Sequence, residues 1–199
     1  MVDGLTTDRI RNVALVGHSG AGTTTLVESA LLAAGAIGRA GRVEDGTTVA
    51  DVDPEEHARG ISLGLSVVSV DWKGHRINLI DTPGDPDFEG PMRAALAVAD
   101  LAVLVVSAVD GIEVGTERAW RCCADLGVPV IVFVNKLDRE RASFDRTLDA
   151  LRARYGDAVE PLELPIGSEA AFHGLADVLT ETAYVYDGNG ATATTAAVP

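Results

Sequence analysis

Cysteine is nearly absent from this 199-residue chain: only Cys122 and Cys123 occur, side by side. Neighbours in sequence form no ordinary long-range disulfide and there is no C-x-x-C pair, which argues against a disulfide framework and a thiolate metal site. Two small apolar residues on a helix is the simpler reading, and a reducing, cytoplasmic location fits. Basic residues are also scarce, 16 Lys plus Arg against 30 Asp plus Glu, for a formal net charge of −14. A surface this acidic repels nucleic acid and anionic membrane, so no autonomous nucleic-acid binding is expected. Aromatics make up 5%, and Trp72 and Trp120 lack the interleaved basic residues of a base-stacking surface. They read as packing residues. No apolar run is long enough to cross a bilayer, and the longest, Leu101 to Val109, is strand-sized. Met1 to Asp8 is polar and acidic, without a signal-peptide pattern. What is present is a 47% hydrophobic composition, enough for one domain with a full core.

Apolar runs alternate with helical patterns, the signature of an open α/β sheet. Asn12 to Val16 reads as a buried strand, followed by a Gly-rich turn and a helix from Thr24 to Ala34 that Gly35 ends. From Ala36 to Ile61 no period is legible, and a stretch that long is expected to be a functional loop. Leu63 to Val70 and Arg76 to Ile80 form an antiparallel hairpin through Trp72-Lys73-Gly74-His75. Helix is expected at Phe88 to Ala99, Glu113 to Leu126 and Asp145 to Tyr155. Strands are expected at Leu101 to Ser107 and Val128 to Val134. Beyond these, Leu162 to Ile166 reads as a strand and Gly174 to Tyr186 as a helix. Gly188 to Pro199 is low in complexity and is expected to be a disordered tail.

Three motifs carry chemistry. The first, Gly17-His18-Ser19-Gly20-Ala21-Gly22-Thr23-Thr24, follows a strand and opens a helix. Its glycines let backbone N–H groups wrap a phosphate chain, and the helix N-terminus adds partial positive charge. The spacing fits the phosphate-loop pattern G-x-x-x-x-G-K-[ST] at every defined position but the lysine, here Thr23. Thr24 supplies a hydroxyl for Mg²⁺, and Thr25 continues the nucleotide-contacting run. The second motif is Asp81-Thr82-Pro83-Gly84: an aspartate can hold Mg²⁺ through water, and the Gly84 N–H can approach a γ-phosphate. The third is Asn135-Lys136-Leu137-Asp138, where Asp138 can accept both N1–H and N2–H of guanine. Asn135 can bond the base or brace the phosphate loop, and the Lys136 stem can cover a base face. Each motif alone is a common turn or solvated loop. Each here ends a predicted strand, where open α/β sheets bind ligands, and their order is phosphate loop, Mg²⁺ aspartate, base reader.

The chain resembles elongation factor G from about Arg9 to Tyr186. The likeness lies in Arg9-Ile10-Arg11-Asn12-Val13, in RGIS at Arg59 to Ser62, in HRINLIDTPG from His75 to Gly84, and in Asp87-Phe88. It continues in FVNKLDRERASF from Phe133 to Phe144 and PLELPIG from Pro161 to Gly167. Release-factor and ribosomal-protection GTPases share these motifs. The resemblance implies an α/β P-loop NTPase G domain: an open, mostly parallel sheet with one antiparallel hairpin and helices on both faces. It also implies GTP and GDP as ligands, Mg²⁺ as cofactor, the ribosome as partner, and hydrolysis during translocation. It further suggests that residues 1–187 form an incomplete GTP-binding domain, since the family's later Ser-Ala guanine loop does not follow. Ser168 lies in an earlier segment of the family pattern.

Departures from the family cluster at the chemistry. Thr23 stands where the family has lysine, and Gly20 where it has an aspartate linked to a monovalent cation. Ser62 replaces the Mg²⁺-binding switch threonine but keeps the hydroxyl. Asp85 stands where a histidine orients the attacking water, beside Gly84. The catalytic candidates are therefore Thr23, Gly84 and Asp85, and the metal candidates Thr24, Ser62 and Asp81. His57, His75 and His173 lack a second ligand at metal spacing, and Glu55-Glu56 reads as a solvated pair. Three functions stay open at this point: a ribosome-stimulated GTPase, a guanine-nucleotide switch or sensor that does not hydrolyse, and a non-nucleotide interaction domain.

Overall fold

The computed structural model of the chain describes residues 5–50, 64–156, 159–186 and 193–198. Ser62, His57 and Glu55-Glu56 lie outside them. Five strands form a sheet in the order β2-β3-β1-β4-β5: β1 (Ile10–Gly17), β2 (Ser66–Trp72), β3 (His75–Asp81), β4 (Leu101–Ser107) and β5 (Val130–Asn135). β1 runs parallel to both β3 and β4, and β2 is antiparallel to β3. The hairpin register pairs Trp72 with His75, leaving Lys73 and Gly74 as a two-residue loop with φ of 47° and 78°. Both central residues are left-handed, the geometry whose twist matches the flanking strands. Trp72 sits exposed at the hairpin end with Lys73 Nζ 5.7 Å from its ring, so the packing role expected of it does not hold.

The α-helices are α1 (Thr23–Ala33), α2 (Glu89–Leu96), α3 (Val114–Leu126) and α4 (Phe144–Tyr155). Gly35 ends α1 as expected: at φ 69° its N–H donates to the Leu32 carbonyl, and that of Ala36 to Leu31. One face of the sheet is filled by Leu15, Val70 and Leu79 packed against Val27 and Leu31 of α1. Strand side chains alternate faces, so Ala14 and Val16, both fully buried, point to the other face of β1, and α2 and α3 also pack on that strand. Cys122 and Cys123 are free and buried on α3. Burial pushes the Cys123 thiol up to about 11, which leaves almost no thiolate at neutral pH and supports the packing reading.

The chain divides into two compact units, residues 1–106 with 113–133, and residues 107–112 with 134–199. The second contains an antiparallel sheet in the order β6-β7-β8-β9: β6 (Glu163–Ile166), β7 (Gly174–Asp177), β8 (Thr182–Tyr186) and β9 (Ala193–Ala197). Two sequence expectations fail here. Gly174 to Tyr186 is a strand pair rather than a helix. Asp177 closes the turn between the two strands, its carboxylate accepting the N–H groups of Leu179 and Thr180. Part of the expected tail is also ordered, since Ala193–Ala197 pairs with β8 in a five-residue register. All five side chains are exposed, so β9 is held by its backbone ladder, which composition does not report.

The described part of the long aperiodic loop is held by one side chain. Glu28 of α1 is 1% exposed, and its carboxylate accepts the N–H of Gly41 at 2.7 Å and of Val49 at 2.5 Å. Thr48 and Ala50 are buried beside this staple. The first part of the Ala36 to Ile61 segment is therefore tied to the helix that opens at the phosphate loop. Glu28→Ala is expected to leave two part-buried donors unpaired and lower unfolding free energy by about 1–3 kcal/mol. Amide exchange should accelerate at Gly41 and Val49. Unchanged protection at both would show that the loop is held by something else.

Candidate functional site

The first unit assembles the phosphate loop and the Asp81 strand end. β1 buries apolar residues up to Gly17 and then turns sharply, with the Ala21 N–H donating to the His18 carbonyl at 3.0 Å. Gly22, at φ 102°, is the left-handed N-cap of α1, and no side chain caps the helix. Thr23 is its first residue and half-buried, Thr24 is buried, and Thr25 and Gly20 are exposed. An uncapped helix start beside a glycine-rich turn offers N–H groups and partial positive charge to an anion.

Thr24 Oγ1 donates to Asp81 Oδ2 at 2.6 Å in a buried hydrogen bond. Asp81 closes β3 in register with Leu15, and the next residue locks the turn, since Thr82 Oγ1 donates to the Leu15 carbonyl at 2.7 Å. A threonine hydroxyl paired with a carboxylate is a hard-oxygen donor set of the kind Mg²⁺ takes, usually with phosphate and water completing the shell. Among the described residues no group of three or more His, Cys, Asp and Glu could hold an ion by itself.

Backbone contacts fix the shape of the loop. A Cβ on Gly84 would lie 2.6 Å from the Ser19 nitrogen and 2.8 Å from the His18 carbonyl carbon. The strand end thus lies directly on the phosphate loop, as only glycine allows. The His18 ring is engaged with α3, which leaves only its backbone to face a phosphate. The Gly115 N–H donates to Nδ1 at 3.3 Å, and Nε2 lies 3.3 Å from Glu113 Oε1. An accepting Nδ1 assigns the proton to Nε2, which then donates to the carboxylate. Glu113 is the N-cap of α3, and its N–H donates to Thr116 Oγ1.

Asp85 also has a local task. It is the N-cap of the short turn Pro86–Phe88, its carboxylate accepting the Asp87 N–H at 3.0 Å. The dipeptide Asp85-Pro86 could have signalled this, because Asp-Pro favours turn initiation. Nothing in the sequence pointed to Glu113, Gly115 or Glu28, whose partners lie far along the chain or on backbone atoms.

The base-reader candidates lie in the second unit. Asn135 is the last residue of β5, and its carbonyl accepts the Ala108 N–H at 2.8 Å. Lys136 is half-buried with φ 62°, and its Nζ lies 3.9 Å from Asp110 Oδ2. Asp138 is exposed in the following turn.

Comparison with known proteins accords with this geometry. Residues 8–194 match the elongation factor Tu GTP binding domain family. The chain is 43% identical over 188 residues to an elongation factor G-like protein of Mycobacterium tuberculosis, covering 94% of the chain and 26% of that protein. It is 44% identical over 177 residues to elongation factor G 2 of Streptomyces coelicolor, covering 89% of the chain and again 26% of the relative. A crystal structure of a Thermus thermophilus protein superposes with a TM-score of 0.89 at 42% identity, over 96% of this chain and 28% of that one. The sheet order, the helices around it and this superposition identify a P-loop NTPase G-domain fold. The chain spans about a quarter of the length of these relatives.

Gly115→Ala and Gly90→Ala separate close approach from helix propensity. Either change gains helix preference, up to about 1 kcal/mol and less in a first turn, where both glycines lie. An added Cβ at Gly90 meets nothing within 4 Å, whereas at Gly115 it would sit 2.7 Å from both His18 Cα and Nδ1. Overpacking costs about 1–3 kcal/mol, so urea unfolding should show Gly90→Ala stabilised and Gly115→Ala destabilised. Equal gains at both positions would mean that the phosphate loop yields freely to α3.

Proposed function

Because the chain belongs to the elongation factor Tu GTP-binding domain family, we propose that it holds GTP and GDP with Mg²⁺ as the nucleotide domain of an elongation factor G-like translation factor. Phosphates are taken by the backbone of Gly17, His18, Ser19, Gly20, Ala21 and Gly22 and by the start of α1 at Thr23, Thr24 and Thr25. Thr24 and Asp81 hold Mg²⁺, with Ser62 completing the set in the triphosphate state. Asp138 reads guanine N1–H and N2–H, assisted by Asn135 and the stem of Lys136. The observation that carries this reading is the buried Thr24–Asp81 bond, since a structural turn alone needs no hydroxyl–carboxylate pair behind a phosphate loop. By likeness to its relatives, the whole factor acts on the ribosome in the cytoplasm, where GTP hydrolysis accompanies translocation. No helix of the described residues is long and apolar enough to cross a membrane.

A second reading, a hydrolysis-impaired switch or sensor, is favoured by Thr23 and Asp85. Without a lysine the site forgoes a charge-assisted bond of about 1.5–3 kcal/mol, which is about one to two decades of affinity. Asp85 sets a carboxylate, committed to its own turn, where an ionised group repels a phosphate. Groups that position water or move protons contribute about 10²–10⁴-fold, so the two changes together suffice to suppress turnover.

Calorimetric titration with GTP, GDP and ATP in Mg²⁺ tests the binding reading, and Asp138→Asn should move preference towards xanthine nucleotides. Equal affinity for GTP and ATP would remove Asp138 from its role. For the second reading, Thr23→Lys should chiefly raise affinity, because lysine contacts phosphate in both ground and transition states. Asp85→His should chiefly raise ribosome-stimulated turnover in the full-length factor. A double variant that binds GTP tightly yet stays as inactive as the parent would locate the defect elsewhere, with Gly20 the next candidate.

A further inference from the structure

The loop carrying Asp138 contains two residues in a conformation that side chains resist. Lys136 at φ 62° and Arg141 at φ 67° are both left-handed, and neither is glycine, asparagine or aspartate. Residues of this kind persist where their surroundings over-determine them, and they gather at ligand clamps. The loop is tethered at both ends to one residue. Ala108 donates its N–H to the Asn135 carbonyl, and its own carbonyl accepts the Ser143 N–H at 3.0 Å.

Arg146, in the first turn of α4, reaches across this arrangement. Its Nη2 lies 3.1 Å from the Ala108 carbonyl oxygen, 3.2 Å from that of Val109 and 2.9 Å from that of Arg141. One cationic nitrogen therefore gathers carbonyls from two loops, and one of them belongs to a left-handed residue. The N–H of Arg141 is held as well, donating to Glu169 Oε1 at 2.7 Å. The crest beside it is stiffened by Ser107, whose Oγ donates to Asp110 Oδ2 at 2.7 Å and accepts the N–H groups of Val109 and Asp110. Asp138 is exposed, so its carboxylate is placed by the course of this backbone rather than by packing around it.

We infer that Arg146 is a positioning residue for guanine selectivity, fixing the Asp138 loop by tying Ala108, Val109 and Arg141 together. The inference rests on the reading of Asp138 as the guanine reader. Two-donor recognition requires both carboxylate oxygens in place, and N–H···O bonds weaken steeply off line. A displaced loop therefore loses one of the two bonds before binding itself is lost.

The test compares GDP, IDP, which lacks the N2 amine, and ADP, which offers neither donor. Affinities are measured by calorimetry in Mg²⁺ on the full 199-residue chain and on Arg146→Met and Arg146→Lys. The parent should rank GDP above IDP above ADP. Arg146→Met should shrink the GDP-to-IDP ratio by about tenfold while IDP affinity changes little. Arg146→Lys, which keeps a cationic donor near the same carbonyls, should recover part of the ratio and serves alone if the methionine variant melts. A purely structural arginine would lower all three affinities alike, and that outcome overturns the inference, as does an unchanged ratio in both variants. A parent with no preference for GDP over ADP would instead remove the Asp138 reading, and the inference with it.

Discussion

Three stretches of backbone converge where β1 gives way to the phosphate loop, and each contact has a glycine on one side of it. A Cβ on Gly17 would stand 2.7 Å from the Val105 carbonyl oxygen, one on Gly84 2.6 Å from the Ser19 nitrogen, and one on Gly115 2.7 Å from His18 Cα. The neighbouring strand, the exit of β3 and the start of α3 thus close on a few residues of loop. Close-packed interiors pass displacement on rather than absorb it, so the curvature of the loop depends on all three contacts. Thr24 and Asp81 are brought within hydrogen-bonding distance inside this frame.

Thr24, Asp81, Asn135, Lys136 and Asp138, proposed to hold a metal ion and guanine, carry side chains suited to those roles, while Thr23 and Asp85, proposed to lie at the transferring phosphate, bring no positive charge to it. Thr23 is small and uncharged, and Asp85 has found work as the cap of the turn that follows it. Phosphoryl transfer is largely a matter of placing positive charge around spread negative charge. A site can therefore keep nucleotide recognition while its charge balance shifts against turnover.

Where local chemistry decides, the sequence was legible. The Lys73-Gly74 hairpin, the Gly35 helix end and β4 over Leu101–Ser107 follow from turn preference, capping and apolar runs. The motifs fall at the ends of β1, β3 and β5, as the apolar runs before them led one to expect. Legibility ended where a residue's partner is remote or is backbone. Glu28 looks like an ordinary helix glutamate until Gly41 and Val49 present their N–H groups to it. His18 sits in a phosphate-loop pattern but bonds a residue 97 positions away. Gly174 to Tyr186 holds apolar residues at spacings compatible with either period, and strand pairing with β6 and β9 decided the matter. Tertiary pairing overrides weak propensity there.

The contact between Gly115 and the phosphate loop also limits how this protein can change. One of the two atoms nearest to an added Cβ is His18 Cα, which every residue type at position 18 possesses. Trading the imidazole for a smaller group would relieve the clash with the ring and leave the clash with the main chain. Position 115 is thus locked independently of its neighbour, so no paired exchange of side chains can open it. Making room for a side chain at 115 therefore takes a shift of main chain, in α3 or in the loop, rather than a trade of one side group for another.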